Sequence, residues 1–115
     1  MTRAVLGGIS MISILVLYAN KPGSKFDLEY YTSRHLPLVR RLLEPMGMRS
    51  LTFVKERALD TAASPQPYRL IAELRFDTME RAKLALDAHG AETQADIVNF
   101  TDVEPVIVIG ELVSG

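Results

Sequence analysis

His35 is the residue of this chain most suited to exchange protons with a small molecule. It follows Tyr31 by four residues, so the two side chains would lie on the same face of a helix. Imidazole has an ordinary pKa of about 6.5 and can act as a general acid or base near neutral pH. The alternative is a partly buried histidine that binds a backbone carbonyl and only supports the helix. The spacing alone leaves both interpretations open.

Two tyrosines would lie close to this histidine. Tyr31 shares its helix face, and Tyr18 ends the first predicted strand, near the start of that helix. Their hydroxyls could orient a substrate, or both rings could belong to the core with their polar ends at its rim. Tyr30 is one residue off the stripe, and we expect it to face outward or toward a partner.

Apolar side chains should form the surface beneath His35. They come from one face of a strand and are core residues by default. A turn before the last strand adds an aromatic ring, and Asp102 in the same turn could pair with an imidazole. The substrate-binding candidates are therefore Tyr18, Leu70, Ala72, Leu74 and Phe100, beside the catalytic candidates His35 and Tyr31.

Composition excludes several other kinds of chemistry. The chain has no cysteine, which excludes disulfides, zinc fingers and thiol nucleophiles. Its net charge of −1, from 13 basic and 14 acidic residues, argues against nucleic acid as a partner. No histidines and carboxylates stand at metal-ligand spacing, so we expect neither metal nor cofactor. His89 should only cap the end of a helix.

The first half of the chain predicts a strand and then a broken helix. Met11–Tyr18 is apolar and rich in β-branched residues, which predicts a strand buried on both faces. A helix should run from Asp27, its N-cap, to Arg34. Pro37 disfavours a helical Leu36, so we expect a kink or break at His35–Leu36 and a second helical piece from Pro37 to about Leu43.

The second half predicts a hairpin, a helix and a last strand. Apolar and polar residues alternate in Met48–Glu56 and Tyr68–Phe76, which favours two strands. The next helix should begin at Asp77 as N-cap and end near His89, because Gly90 is a stop signal. Its inner stripe would be Met79, Ala82 and Leu86. Residues 91–100 read as a short helix plus connection, and residues 105–112 as the last strand.

The order βαββαβ predicts an α+β, ferredoxin-like fold. It has a four-stranded antiparallel sheet with two helices on one face. The other face would expose Leu15 and Leu17 together with either Val106 and Val108 or Ile107 and Ile109. Monomers rarely leave such a patch bare, so we expect a symmetric homodimer formed face to face.

The N-terminal residues raise the question of targeting. Residues 4–19 carry no charge, but they are too few for a comfortable membrane span. Arg3 precedes them, yet no clear cleavage site follows, so we expect a cytoplasmic protein without a membrane partner. Met11 is a possible natural start. The predicted domains are an extension over 1–10 and a single domain over 11–115.

The chain resembles the EthD family, named after a protein of ethyl tert-butyl ether degradation. The matching segments are LYANKPG, then FDLEYYTSRHLPL with its His-x-Pro, YRLIAELRFDTMERAKLAL and ADIVNFTDVEPVIVIGE. The resemblance implies a dimeric α/β barrel, similar to monooxygenases, muconolactone isomerases and polyketide cyclases, with pockets between helices and sheet. It favours His35, at the His-x-Pro position, as a site residue.

Three functions are consistent with these observations. The first is a cofactor-free lyase, isomerase or oxygenase that acts on a compact apolar or aromatic metabolite, with His35 as general acid or base and Tyr31 orienting the substrate. The second is a non-catalytic binding or accessory protein that uses the same pocket. The third is haem binding through His35, by analogy with the wider set.

Overall fold

The structure, a computed structural model, describes residues 11–57 and 66–113. The predicted extension over 1–10 and most of the predicted loop between the second and third strands lie outside these residues. The described elements follow the predicted order βαββαβ. They are β1 (Met11–Ala19), α1 (the consecutive helical segments Leu28–Tyr30, Tyr31–His35 and Leu36–Leu43), β2 (Met48–Lys55), β3 (Tyr68–Phe76), α2 (Met79–Ala95) and β4 (Val106–Leu112).

The four strands form one antiparallel sheet in the order β2-β3-β1-β4, the ferredoxin-like arrangement. Ile14 lies opposite Leu74 on β3 and opposite Ile109 on β4, so these three side chains share a face. Both helices pack on this face, which we call the covered face. Its core includes Tyr18, Leu43, Leu70, Phe76 and Ala82.

The opposite side of the sheet, which we call the open face, carries no helix among the described residues. Leu15 lies opposite Val108 and Leu17 opposite Val106 on this side, which decides between the two predicted sets in favour of Val106 and Val108. These two valines are 53% and 45% exposed. The prediction that β1 is buried on both faces is therefore wrong for a single chain, because Leu15 and Leu17 are only half-buried.

Helix α1 is continuous, so the alternative of a break at His35–Leu36 is wrong. The irregularity of the helix is instead a π-helical turn just before that point. Asp27 caps the helix as predicted and accepts a hydrogen bond from the Tyr30 N–H. Residues Tyr31–His35 then form a π-helical turn in which the Leu36 N–H binds the Tyr31 carbonyl. The extra residue widens the helix just before Pro37, and this relieves the contact between the proline ring and the carbonyls one turn back.

Helix α2 begins one residue later than predicted and ends well after its predicted limit. Thr78, not Asp77, is the N-cap, because its hydroxyl accepts from the Arg81 N–H. The helix continues through His89 and Gly90 to Ala95, so Gly90 does not stop it and His89 is not at its end. A glycine inside a helix costs only about 1 kcal/mol and keeps its backbone hydrogen bonds.

The side of α2 that packs on the sheet also differs from the prediction. Ala82 and Ala85 are buried, Leu86 is half-buried, and Met79 is exposed. Lys83 and Asp87 form an exposed ion pair on the outer side of the helix, with an N–O distance of 2.9 Å. Within residues 11–57 and 66–113, no helix is long and apolar enough to cross a membrane.

Candidate active site

A cavity of about 360 Å³ lies on the covered face, between the sheet and the two helices. This volume falls in the range of small-molecule sites. Polar side chains contribute to its lining at only a few positions. The lining residues are Ile14, Val16, Tyr18, Tyr31, His35, Leu36, Val39, Leu43, Leu51, Ala72, Leu74, Leu86, Gly90, Ala91, Thr93, Gln94, Ile97 and Ile107.

The π turn of α1 brings Tyr31 and His35 to the cavity together. The two rings are stacked, with centroids 5.5 Å apart and an angle of 23° between their planes. Both residues are buried, at 1% and 6% exposure. Turns of this type are frequent at functional sites, because the added residue changes where the following side chains point.

Asp96, at the end of α2, holds the imidazole of His35. The His35 Nδ1 and Asp96 Oδ2 atoms are 2.9 Å apart. The Tyr30 hydroxyl donates to the second carboxylate oxygen at 2.7 Å, and the Asn99 amide donates to the same oxygen at 2.9 Å. The Asp96 carboxylate therefore has three partners, and its orientation relative to the imidazole is fixed from both sides.

Backbone contacts explain why Asp96 comes so close to a residue far away in the chain. Phe26 and Thr101 form an antiparallel bridge just before α1. The Asp27 N–H donates to the Phe100 carbonyl at 2.7 Å, and the Thr101 hydroxyl donates to the Lys25 carbonyl at 2.7 Å. These bonds attach the segment after α2 to the first turn of α1, where Tyr30 and His35 can reach it.

The surroundings of His35 favour its neutral form. Burial lowers the pKa of the imidazole, and the Asp96 carboxylate opposes this only in part. Burial would raise the pKa of Asp96, but hydrogen bonds from Tyr30, Asn99 and His35 hold it below its ordinary value. An ionised carboxylate can only accept, so Nδ1 carries the proton and Nε2 has a free lone pair. Such an imidazole is suited to act as a base.

Tyr18 and Tyr31 both line the cavity, with ring centroids 6.2 Å apart at an angle of 81°. Among the hydrogen bonds that residues 11–57 and 66–113 form with one another, none involves either hydroxyl. Burial raises the pKa of both phenols far above the ordinary value, and for Tyr18 the neighbouring Tyr31 raises it further. Both therefore stay protonated and act as hydrogen-bond donors.

The structure brings five of the seven predicted site residues to the cavity, namely Tyr18, Tyr31, His35, Ala72 and Leu74. Leu70 is buried but does not line it. Phe100 lies behind the imidazole, with a centroid distance of 4.6 Å, and supports His35 without reaching the cavity. Asp102 does not meet the imidazole, because its carboxylate accepts from the Lys25 N–H instead.

Sequence reasoning missed Asp96 and Asn99, and it misplaced Tyr30. Tyr30 does not point away from the site, because its hydroxyl binds Asp96. Asp96 lies 61 residues after His35, in a segment interpreted as a connection. The one local indication of its role is that Asp96 precedes Asn99 by three residues. Side chains at this spacing are neighbours on a helical turn.

Residues 11–57 and 66–113 contain no group of three or more histidine, aspartate or glutamate side chains that could hold a metal ion. The candidate site therefore consists of one imidazole, its carboxylate and two phenols in an apolar cavity. Together with the sheet order, this defines a small α+β protein of ferredoxin-like fold with a site between helices and sheet.

Comparison with known proteins identifies the family. A model of the EthD domain matches residues 24–104. The crystal structure of an EthD-like protein from Ralstonia eutropha JMP134 is 33% identical in sequence, with a TM-score of 0.82; the match covers 91% of this chain and 94% of that one. The chain therefore belongs to the EthD family. No curated protein matches it.

Two more distant structures share the fold only. A protein from Bacteroides fragilis, described as dimeric with a ferredoxin-like fold, is 10% identical, with a TM-score of 0.53; the match covers 89% of this chain and 96% of that one. SnoaB from Streptomyces nogalater, described as a cofactor-independent oxygenase, is also 10% identical, with a TM-score of 0.56 and coverages of 92% and 93%.

Proposed function

We propose that this chain is a small cofactor-free enzyme in which His35 moves a proton of a compact apolar or aromatic metabolite. The observation that carries the proposal is the His35–Asp96 pair at the wall of an apolar cavity. A base held in place by a neighbouring carboxylate is an arrangement suited to general acid–base catalysis. The reaction would be of the isomerase, cyclase, decarboxylase or oxygenase type.

The chemical step uses groups that are already in place. The free lone pair of His35 Nε2 would accept a proton from an acidic C–H or O–H group of the substrate. Asp96 would stabilise the imidazolium that forms, because it binds Nδ1 at 2.9 Å. The apolar lining would exclude water, and His35 would return the proton to the product. Tyr31, stacked beside the imidazole, would orient the substrate.

Membership in the EthD family supports an enzyme-type protein of this fold without defining the reaction. SnoaB, the fold relative described as a cofactor-independent oxygenase, shows that the ferredoxin-like fold can host chemistry without a cofactor. This support is an analogy of fold, so the proposal depends on the site itself. The predicted cytoplasmic location agrees with an enzyme that acts on metabolites, and it stays a prediction.

A binding or accessory function is the second candidate. It is favoured by the raised pKa of Tyr18 and Tyr31, because both phenols stay protonated and leave His35 as the one acid–base group among the described residues that line the cavity. A protein with a single such group could hold a metabolite without converting it.

One experiment separates the two candidates. Compact aromatic and alicyclic metabolites are screened for a thermal shift, and every compound that binds is followed by NMR for turnover or for proton exchange with D2O. Turnover by the wild type that His35→Gln loses and His89→Gln keeps supports the enzyme. Equal turnover by His35→Gln overturns the role of His35. Binding without conversion supports the accessory function.

We further propose that two copies pair through the open face of the sheet. Leu15, Leu17, Val106 and Val108 form an apolar surface there, and the last two are about half exposed. An apolar surface of this kind is normally covered. The Bacteroides fragilis relative, described as dimeric, is consistent with this assembly. Sedimentation of the wild type as a monomer at micromolar concentration would overturn the pairing.

A further inference from the structure

We propose that the hydroxyls of Tyr18 and Tyr31 together bind the oxygen of a neutral carbonyl compound. This inference rests on the function proposed above, because the same cavity contains His35. It narrows the ligand from a compact apolar molecule to a ketone, aldehyde or lactone. The two tyrosines then determine which substrates place an acidic hydrogen next to the imidazole.

The first step of the argument is the environment of the two hydroxyls. Tyr18 is 2% exposed and Tyr31 is 1% exposed, and both line the cavity. No residue among those the structure describes forms a hydrogen bond with either hydroxyl. Buried polar groups nearly always have a partner, and a tyrosine hydroxyl is no exception. The cavity is the place where that partner can bind.

The second step is the direction of the hydrogen bond. Burial raises the pKa of both phenols, so each keeps its proton throughout the physiological range. A protonated phenol offers one O–H donor. Two such donors at one cavity call for an acceptor with two lone pairs, and a carbonyl oxygen fits this requirement.

The third step is charge. The described residues that line the cavity include no lysine or arginine, and burial favours neutral His35. A carboxylate would lose its hydration there without gaining a positive partner. A neutral carbonyl group loses much less hydration, and two hydroxyls can replace it. The site should therefore prefer ketones over carboxylates of the same size.

The fourth step connects recognition to chemistry. When a carbonyl oxygen binds the two hydroxyls, a hydrogen on the neighbouring carbon can approach His35. The C–H bond breaks, the proton moves to Nε2, and the electron pair shifts to the oxygen to give an enolate. Hydroxyl donors that bind the oxygen where negative charge develops would stabilise that charge strongly in an apolar cavity. The tyrosines would thus accelerate the same proton transfer that His35 performs.

The test uses two matched series of probes with the full chain. The first series is α-tetralone, tetralin and α-naphthoate, and the second is acetophenone, ethylbenzene and benzoate. Dissociation constants are measured by NMR titration for the wild type, for the double variant Tyr18→Phe/Tyr31→Phe, and for Tyr68→Phe as control. Tyr68 is partly exposed and does not line the cavity.

The expected result is that the ketone binds the wild type more tightly than the hydrocarbon or the carboxylate of its series. The double variant should bind the ketone about tenfold more weakly, the loss expected for removed hydrogen bonds, and the hydrocarbon equally well. Tyr68→Phe should bind like the wild type. Ketones that bind no better than hydrocarbons, or equally well to the double variant, would overturn the inference. So would a series in which nothing binds.

Proton exchange distinguishes this inference from the proposed function. The exchange of the α-hydrogens of α-tetralone with D2O is followed for the same variants and for His35→Gln. If ketone binding depends on the two tyrosines but no His35-dependent exchange occurs, the inference is supported and the proposed enzymatic function is wrong. If exchange depends on His35 but continues in the double variant, and the ketone affinity is unchanged, the inference is wrong and the proposed enzymatic function is supported.

Discussion

The two faces of the sheet differ in whether their polar side chains have hydrogen-bond partners. On the open face, Ser13 donates to Glu73 at 2.6 Å and Arg75 pairs with Glu73 at 3.1 Å. These bonds, that from Ser13 first, hold the pKa of Glu73 below its ordinary value. On the covered face, the hydroxyls of Tyr18 and Tyr31 have no partner among the described residues. The polar groups of this cluster on the open face therefore have partners within the chain, whereas the two hydroxyls on the covered face can bind a ligand.

This difference separates a surface suited to assembly from one suited to a ligand. A polar cluster that is already paired can be covered by another chain without leaving a group unsatisfied. Unpaired donors in a cavity call for a molecule that completes them. The covered face also holds the one imidazole whose carboxylate partner is fixed from both sides. Variants on the two faces should therefore affect different measurements.

The largest effect should come from His35→Gln on the covered face. Removing the base should lower the turnover of a cavity substrate by about 10²–10⁴-fold, the usual contribution of general acid–base catalysis. Steady-state kinetics measure the change. His89→Gln removes the other histidine, which does not line the cavity, and should stay within about twofold of the wild type. Equal losses in both variants would contradict the assignment.

The next largest effect should come from Val108→Glu on the open face. A carboxylate buried against its symmetry mate should weaken self-association by about a hundredfold or more. Sedimentation velocity over a range of concentrations measures this. Val98→Glu is the matched control, because Val98 lies in the turn after α2, outside the strands of the open face, and is 75% exposed. A dimer that survives Val108→Glu would place the interface elsewhere.

A smaller effect, on pH dependence, should follow from Asp96→Asn. The base works when neutral, so kcat/KM of the wild type should rise with pH and level off below the ordinary histidine pKa of about 6.5. Asp96 raises the pKa of His35, so removing its charge should move the rising part of this pH profile to lower pH. Lost orientation should reduce the plateau by about tenfold, less than the loss of His35 itself. A shift of the rising part of the profile to higher pH would contradict the pairing of His35 with Asp96.

Two single-hydroxyl deletions compare the faces directly. Ser13→Ala removes the donor to Glu73 and should lower the free energy of unfolding by about 1–2 kcal/mol. Tyr31→Phe removes a hydroxyl without a described partner and should change it by less than about 0.5 kcal/mol. Urea unfolding at a single protein concentration measures both. A larger loss for Tyr31→Phe would show that its hydroxyl is already paired within the chain.

The smallest effect should come from Gly90→Ala in α2. An added Cβ would meet only the Leu86 Cβ, at 3.9 Å, and alanine is the better helix former. The free energy of unfolding should rise by about 0.5–1 kcal/mol. Gly90→Leu keeps much of the helical benefit but should project into the cavity and weaken binding. Unchanged ligand affinity in Gly90→Leu would place the ligand away from α2.

The clearest sequence signal for the fold is the alternation in β3. From Leu70 to Phe76 every second residue is apolar and buried, and this pattern alone assigns the two faces of the strand. The turn residues Pro45 and Gly47 follow the first helical region, with Gly47 at a φ of +107°, and proline and glycine are signals that sequence can show. Errors arose at helix limits, where Gly90 and Pro37 are weak local signals that packing and a π turn overcome.

The site was only half predictable. Tyr31 and His35 share a helix face by spacing, which sequence can show. Asp96 reaches His35 because the Phe26–Thr101 bridge attaches two segments that are far apart in the chain. No local pattern encodes such a contact. The cavity likewise depends on how far α1 and α2 stand from the sheet, which the periodicity of either helix does not specify.

The π turn has a consequence for anyone who wishes to transplant this site. A regular α-helix advances about 100° per residue, so the same sequence built as an ideal helix without the π turn would rotate the part before Tyr31 by roughly that angle relative to the part after His35. Tyr30 and His35, which are five residues apart, would then no longer both face Asp96. A designed scaffold therefore has to reproduce the π turn itself, because an ideal helix would reproduce the amino acids without their alignment.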